Sequence, residues 1–105
     1  MFHVFGFYKF KGIKYLKKNK IILQNKIKIN KIRGTIILSK EGVNGTISGK
    51  IKNLSKMKIL LKKILKFKNF DSTNNSTSLF NPFHRSKIKI KNEVVPIGMK
   101  VSNIR

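Results

Sequence analysis

Apolar residues occupy both alternating sets of residues 2–10: Phe2, Val4, Tyr8 and Phe10 in one, Phe5 and Phe7 beside His3 and Lys9 in the other. Aromatics in both sets predict a central strand contacted on its two faces. Over residues 13–27 the spacing of Leu16, Leu23 and Ile27 fits one stripe of a helix, although Asn19 interrupts it. Gly34 then introduces TIILSK, a short β-branched run that predicts a strand. Asn44-Gly45 stands between this run and TIS. Asn-Gly in such a setting predicts a tight hairpin turn, because both residues tolerate positive φ. The strand after it is expected to be short and to end at Gly49.

The strongest helical pattern covers residues 53–67. Leu54, Met57, Leu61, Ile64 and Leu65 recur at spacings of three and four, and Lys56, Lys58, Lys62, Lys63 and Lys66 fill the remaining surface. Asn53 is the expected cap. The polar stretch FDSTNNSTSLFNPF reads as a loop, with residues 72–78 as an optional extended edge strand. In SKIKIKNEVV, Ile88, Ile90 and Val94 alternate with Lys87, Lys89, Lys91 and Glu93, a period of two that predicts a strand closed by Pro96 and Gly98.

The element order strand, helix, strand, strand, helix, strand is the βαββαβ plan of an α+β, ferredoxin-like fold. It predicts an antiparallel sheet with two helices on one face and room for one extra strand. The other face is expected to be open or covered by a partner. The domain is expected to span residues 1–99, with 100–105 as the start of a linker.

A chain of 105 residues supports one domain with a modest core. Its 40% hydrophobic content argues against disorder. The 25 basic residues face three acids, a net charge of +22, which makes polyanions the first partners to consider. The abundance of Lys, Ile and Asn also fits an AT-rich coding bias, but that bias alone does not remove acids. Without cysteine there is no disulfide, no thiol nucleophile and no Cys-based metal site. No apolar run is long enough to span a bilayer, and the N-terminus lacks the pattern of a secretion signal. A cytoplasmic protein without a membrane partner is the expectation. The lysine-rich face of residues 56–66 would suit an anionic membrane surface, but its apolar stripe is more simply a core face.

The stretch SKEGVNGTISGK fails as a phosphate loop. Asn44 stands where a P-loop needs its first glycine, and Ile51 follows Gly49-Lys50 where Ser or Thr is required. GVNGTISG has the wrong spacing for a dinucleotide loop and leads into a strand. A phosphate held by its backbone amides and Lys40 remains open beside the turn reading. Glu41, Asp71 and Glu93 are the only carboxylates, and their spacing suggests no acid–base pair. His3 and His84 are too few for a metal centre. An acylphosphatase-type activity would need a loop arginine near the first strand, and KFKGIK has none. No catalytic residue, metal or cofactor is expected on this chain.

Binding chemistry is richer. PFHRSKIKIK, residues 82–91, sets aromatic, imidazole and guanidinium groups next to lysines on one strand face. Lysine and arginine neutralise phosphates while an aromatic ring stacks on bases, which is how open sheets hold RNA. The plain alternative is that Phe83 is core and the lysines are a solvated face. The aromatic motif of RRM domains is absent.

Three segments, FYKF, KIRGTIILSKEGVNGTISG and PFHRSKIKIKNEVVPIG, taken together and in this order, resemble the N-terminal domain of the rhodanese-related tRNA uridine hydroxylase family. The resemblance covers most of the chain. It implies an acylphosphatase-like, ferredoxin-type fold, a cytoplasmic location and tRNA as partner. Members of that family look like oxygen-dependent enzymes that convert wobble uridine 34 of certain tRNAs to 5-hydroxyuridine, with a cysteine-bearing rhodanese domain after this one. Since this chain has no cysteine, the resemblance places no catalytic residue on it, and a rhodanese domain in cis or in trans is the implied second partner. The residues expected to meet RNA are Arg33, Lys40, Asn44, Phe83, His84, Arg85, Lys87, Lys89 and Lys91. The competing expectation is a structural domain that packs on a rhodanese partner, with Phe5 or Phe7 anchoring the open sheet face and no direct RNA contact.

Overall fold

The computed structural model describes residues 1–91. The expected continuation of the last strand through Glu93 and Val94, its closure at Pro96 and Gly98, and the linker at 100–105 lie outside the described residues.

Five strands and two helices follow one another as β1 (Phe2–Phe10), α1 (Leu16–Ile29), β2 (Arg33–Ser39), β3 (Gly42–Gly49), α2 (Ile51–Leu65), β4 (Ser72–Ser78) and β5 (Ser86–Ile90). They form one sheet in the order β4-β1-β3-β2-β5. The α+β, ferredoxin-like arrangement is present, with a correction to the sheet. It is mixed rather than wholly antiparallel, because β5 runs parallel to β2 while the other pairs are antiparallel. The polar segment of β4 takes the ferredoxin place beside β1, and SKIKI is the added strand. The connection explains the parallel pairing. Residues 79–85 cross the end of the sheet from one edge to the other, about 19 Å for four strand spacings, which seven extended residues can reach. On the way Asn81 accepts a hydrogen bond from Ser48 Oγ of β3 (2.5 Å), and the Phe83 carbonyl accepts one from Arg33 of β2 (3.3 Å).

One face of the sheet carries the core. Phe5, Phe7, Ile36, Leu38, Val43, Ile47 and Ile88 pack against Leu23 and Ile27 of α1 and Leu54, Met57 and Leu61 of α2. Phe5 and Phe7 therefore cannot anchor a partner on the open face; they are 2% and 5% exposed, stacked at 5.4 Å and met by Phe70. Burying each such ring contributes about 1.5–3 kcal/mol, more than an exposed position could return.

Asn44-Gly45 is not the hairpin turn. The chain reverses at Lys40 and Glu41, with Ser39 paired to Gly42, and β3 runs unbroken through Asn44 and Gly45. Three bonds fix the true turn: Ser39 Oγ accepts from the Glu41 amide (3.0 Å), and the carbonyls of Lys40 and Glu41 accept from Ile13 (3.1 Å) and Lys11 (2.8 Å). Gly45 has a packing reason instead. A Cβ there would stand 2.5 Å from the Thr35 carbonyl oxygen and 3.0 Å from Cζ of Phe7. Pairing on both sides of β3 outweighs the local turn preference.

The helices also start elsewhere than expected. α1 begins at Leu16, after a left-handed Tyr15 (φ 55°), which leaves Ile13 buried in the preceding loop. It ends in a Schellman closure: Ile32 donates to Ile27 and Lys31 to Lys28, with Lys31 at φ 55°. Both apolar residues of that closure are buried, which fixes the entry into β2. For α2 the cap is Lys50, without a side-chain bond, so Asn53 lies inside the first turn and does not cap. No helix among the described residues is long and apolar enough to cross a membrane.

Candidate nucleic-acid interface

Strand periodicity assigns the helix-free face. Because Ile36, Leu38 and Ile88 face the helices, the intervening residues face away: Arg33, Thr35 and Ile37 on β2, and Lys87 and Lys89 on β5. Register brings them together. Thr35 lies beside Lys87 and Ile37 beside Lys89, and the Gly34 amide donates to the Arg85 carbonyl (2.7 Å), which puts Arg85 next to Arg33. Arg33, Arg85, Lys87 and Lys89 are all exposed and line one edge of this face. Asn44, half-buried, stands one strand further in, opposite Ile37.

The remaining expected contacts lie at the two ends. Lys91 is tied to the end of β2 by its amide, which donates to Leu38 (2.8 Å), and Lys40 is exposed in the turn at that same end. His84 is exposed in the crossing loop at the opposite end, and Phe83 there is half-buried, its amide donating to Asn81 (3.2 Å). Seven of the nine residues thus follow the β2–β5 edge from end to end; Asn44 lies inside the sheet and Lys40 belongs to the turn.

Ser48 of β3 is buried and bonded to Asn81, and Val4, Tyr8 and Phe10 of β1 and Ile37 of β2 share this face. Neutral polar groups also reach solvent on it: Asn44 and Thr46 on β3 and Ser72, Asn74 and Ser76 on the far edge, β4. Their hydroxyls and amides offer donors and acceptors of the kind base edges require. Tyr8 of β1 is buried among them. Burial, then the charges of Asp71 and Glu41, push its phenol above the ordinary value, so the ring adds no negative charge. Asp71 itself is bound to the Phe10 amide (2.7 Å) and Lys9 Nζ (3.3 Å).

Two features were not legible as site residues. A cleft of about 460 Å³ opens beside Arg33 and is also lined by Lys28, Lys31, Lys50, Asn53 and Phe2. Lys28, Lys31 and Arg33 are near neighbours in sequence, but Lys50 joins them only through the fold. Phe10 ends β1 on the helix-free side, opposite Gly42, and is 63% exposed; it offers a freer ring for stacking than Phe83. Among the described residues no three of His, Asp and Glu lie close enough to hold a metal.

Comparison with known proteins gives a consistent picture. Residues 2–94 match the family profile described as UPF0176 acylphosphatase like domain. The chain is 58% identical over 103 residues to a tRNA uridine(34) hydroxylase of Pelagibacter ubique (strain HTCC1062), covering 98% of this chain and 34% of that protein. It is 32% identical over 104 residues to a tRNA uridine(34) hydroxylase of Bartonella bacilliformis (strain ATCC 35685 / KC583 / Herrer 020/F12,63), covering 97% and 33%. The chain thus spans about a third of the length of these relatives. The acylphosphatase of Bacillus subtilis superposes with a TM-score of 0.58 at 12% identity, covering 87% of this chain and all of that one. Full-length HypF superposes with 0.60 at 14%, covering 91% and 13%. At such identities these two structures speak for the fold alone.

Proposed function

This chain belongs to the UPF0176 acylphosphatase-like domain family, and on that premise we propose that its helix-free sheet face engages tRNA on behalf of a tRNA uridine(34) hydroxylase. The observation that carries the proposal is the row Arg33, Arg85, Lys87 and Lys89 along one edge of a face that also carries uncharged polar side chains, Asn44 and Thr46, inward of that row. Cations along the edge hold the phosphate backbone, and the neutral groups inward of them read the bases. Lys91, Lys40 and His84 extend the track at its ends, with Phe83 and Asn44 as its stacking and base-reading members. The role is binding and positioning. Oxygen-dependent conversion of uridine 34 to 5-hydroxyuridine is assigned to a rhodanese domain in cis or in trans, and no catalytic residue is assigned here. Such a domain would work in the cytoplasm.

The test is tRNA binding by the chain across a salt series. The reading predicts binding at low salt that weakens steeply as salt rises, since each neutralised phosphate releases counterions. Absence of binding at low salt, or binding indifferent to salt, sinks it. A purely structural role loses its named anchors, because Phe5 and Phe7 are under the helices. It would regain ground if alanine at Lys87, Lys89 and Lys91 together left tRNA affinity of the assembled hydroxylase unchanged.

A further inference from the structure

Basic residues are spread over this chain with one long gap. Residues 69–84 contain no Lys or Arg, although 25 of the 105 residues are basic. The gap contains all of β4. Among the strands of the described residues only β3 and β4 lack a basic residue, and β3 is inside the sheet while β4 is an edge. Edge strands carry unpaired N–H and C=O groups, and proteins usually block them with lysine, proline or a bulge. The opposite edge obeys that rule, with Lys87 and Lys89 on β5. β4 does not. It is a regular strand of seven residues, STNNSTS, paired to β1 from Ser72 to Ser78, with six residues exposed and the last half-buried. At its end Leu79 and Phe80 are 83% and 71% exposed.

We propose that the outer edge of β4 pairs antiparallel with β4 of a second copy of this chain, giving a two-fold dimer with one continuous sheet. Two observations select a second copy as the occupant. The sequence is nearly symmetric about Asn75, so a two-fold axis there sets Thr73 opposite Thr77 of the second copy, Asn74 opposite Ser76 and Ser72 opposite Ser78. Hydroxyls and amides then meet throughout, and Thr–Thr is a favourable cross-strand pair. Charge is the second. Another copy brings another +22, and like charges directly opposite one another disfavour pairing. Among the described residues, β4 is the one strand edge at which two copies can approach without setting Lys against Lys. The same axis brings Leu79 and Phe80 of each copy over the start of the other's β4, covering exposed apolar surface twice.

The dimer does not depend on the tRNA reading. β4 and β5 are opposite edges, so the basic edge stays free and appears at both outer ends of the joined sheet. The two processes also answer salt with opposite sign. Salt screens repulsion between copies and strengthens the dimer, whereas it weakens binding to RNA.

Sedimentation velocity of the 105-residue chain at low and high salt tests the inference. The expected result is a dimer fraction that rises with protein concentration and with salt. Thr73→Lys with Thr77→Lys sets like charges across the axis and should give a monomer at low salt. Thr73→Lys with Thr77→Glu sets opposite charges there and should restore the dimer at low salt. A wild-type chain that stays monomeric at every salt and concentration overturns the proposal, as does equal association of the two double variants. The wild-type salt response decides the matter even where a variant misfolds, which far-ultraviolet circular dichroism would reveal.

Discussion

Ile88 of β5 stands beside Ile36 of β2 in parallel register, 4% and 0% exposed, and this pair sets the direction of the charged side chains on the edge strand. With Ile88 held in the core, Lys87 and Lys89 must face away from the helices. The core side of β5 is thus what aims its charged side.

Truncating that anchor should therefore affect binding without removing a charge. Ile88→Ala is expected to cost about 2–4 kcal/mol of stability. It should also weaken tRNA binding under conditions where the variant remains folded, because the lysines lose their fixed direction. Urea denaturation and tRNA titration on the same preparation check both. Lower stability with unchanged affinity would show that the lysines act without the strand.

Gly45 should tolerate no side chain, for packing rather than for turn geometry. Gly45→Ala drives a methyl group against the Thr35 carbonyl and the Phe7 ring, at a cost of about 1–3 kcal/mol. Gly12→Ala is the control. A Cβ at Gly12 meets nothing within 4 Å, and its effect should stay within about 0.5 kcal/mol. Denaturation midpoints of the two variants compare them directly.

Asp71 predicts a pH dependence with a definite sign. The backbone hydrogen bond from Phe10, then Lys9, holds its carboxyl below the usual carboxylate value. A depressed folded-state pKa stabilises above the unfolded value of about 3.9 and is lost as pH falls through the lower folded value. Asp71→Asn should thus be less stable than wild type at neutral pH, with the difference closing in acid. The carboxylate is 44% exposed, so the neutral-pH difference should stay below about 1 kcal/mol. A difference that persists unchanged at acid pH would contradict this account of the group.

Much of the fold was legible because its signals are periodic. The Leu54, Met57, Leu61 and Leu65 stripe is the buried face of α2, and the Ile/Lys alternation of SKIKI separates core from surface on β5. Local signals misled where pairing overrides them. Asn-Gly signals a turn in isolation but lies in β3 between two partner strands, and STNNSTS has a loop's composition but pairs along its whole length with β1. Alternation in β1 showed two sets without saying which one the helices cover. That is why Phe5 and Phe7 were candidate anchors for the open face. The row of cations was half legible. Lys87 and Lys89 follow from period two, but their meeting with Arg33 depends on the parallel β2–β5 register, which no local pattern encodes.

The central claim concerns one face, not total charge, and paired charge reversals test it most directly. Lys87→Glu with Lys89→Glu alters the helix-free edge; Lys56→Glu with Lys63→Glu alters exposed positions on α2. Each pair lowers the net charge from +22 by two units per site, to +18. In a tRNA titration over a salt series, the edge pair should lose affinity by at least about tenfold at low salt, with a shallower salt slope. The helix pair should lose less than about threefold and keep its slope. Equal losses from the two pairs would show diffuse attraction to a basic protein and would contradict a tRNA site on this face.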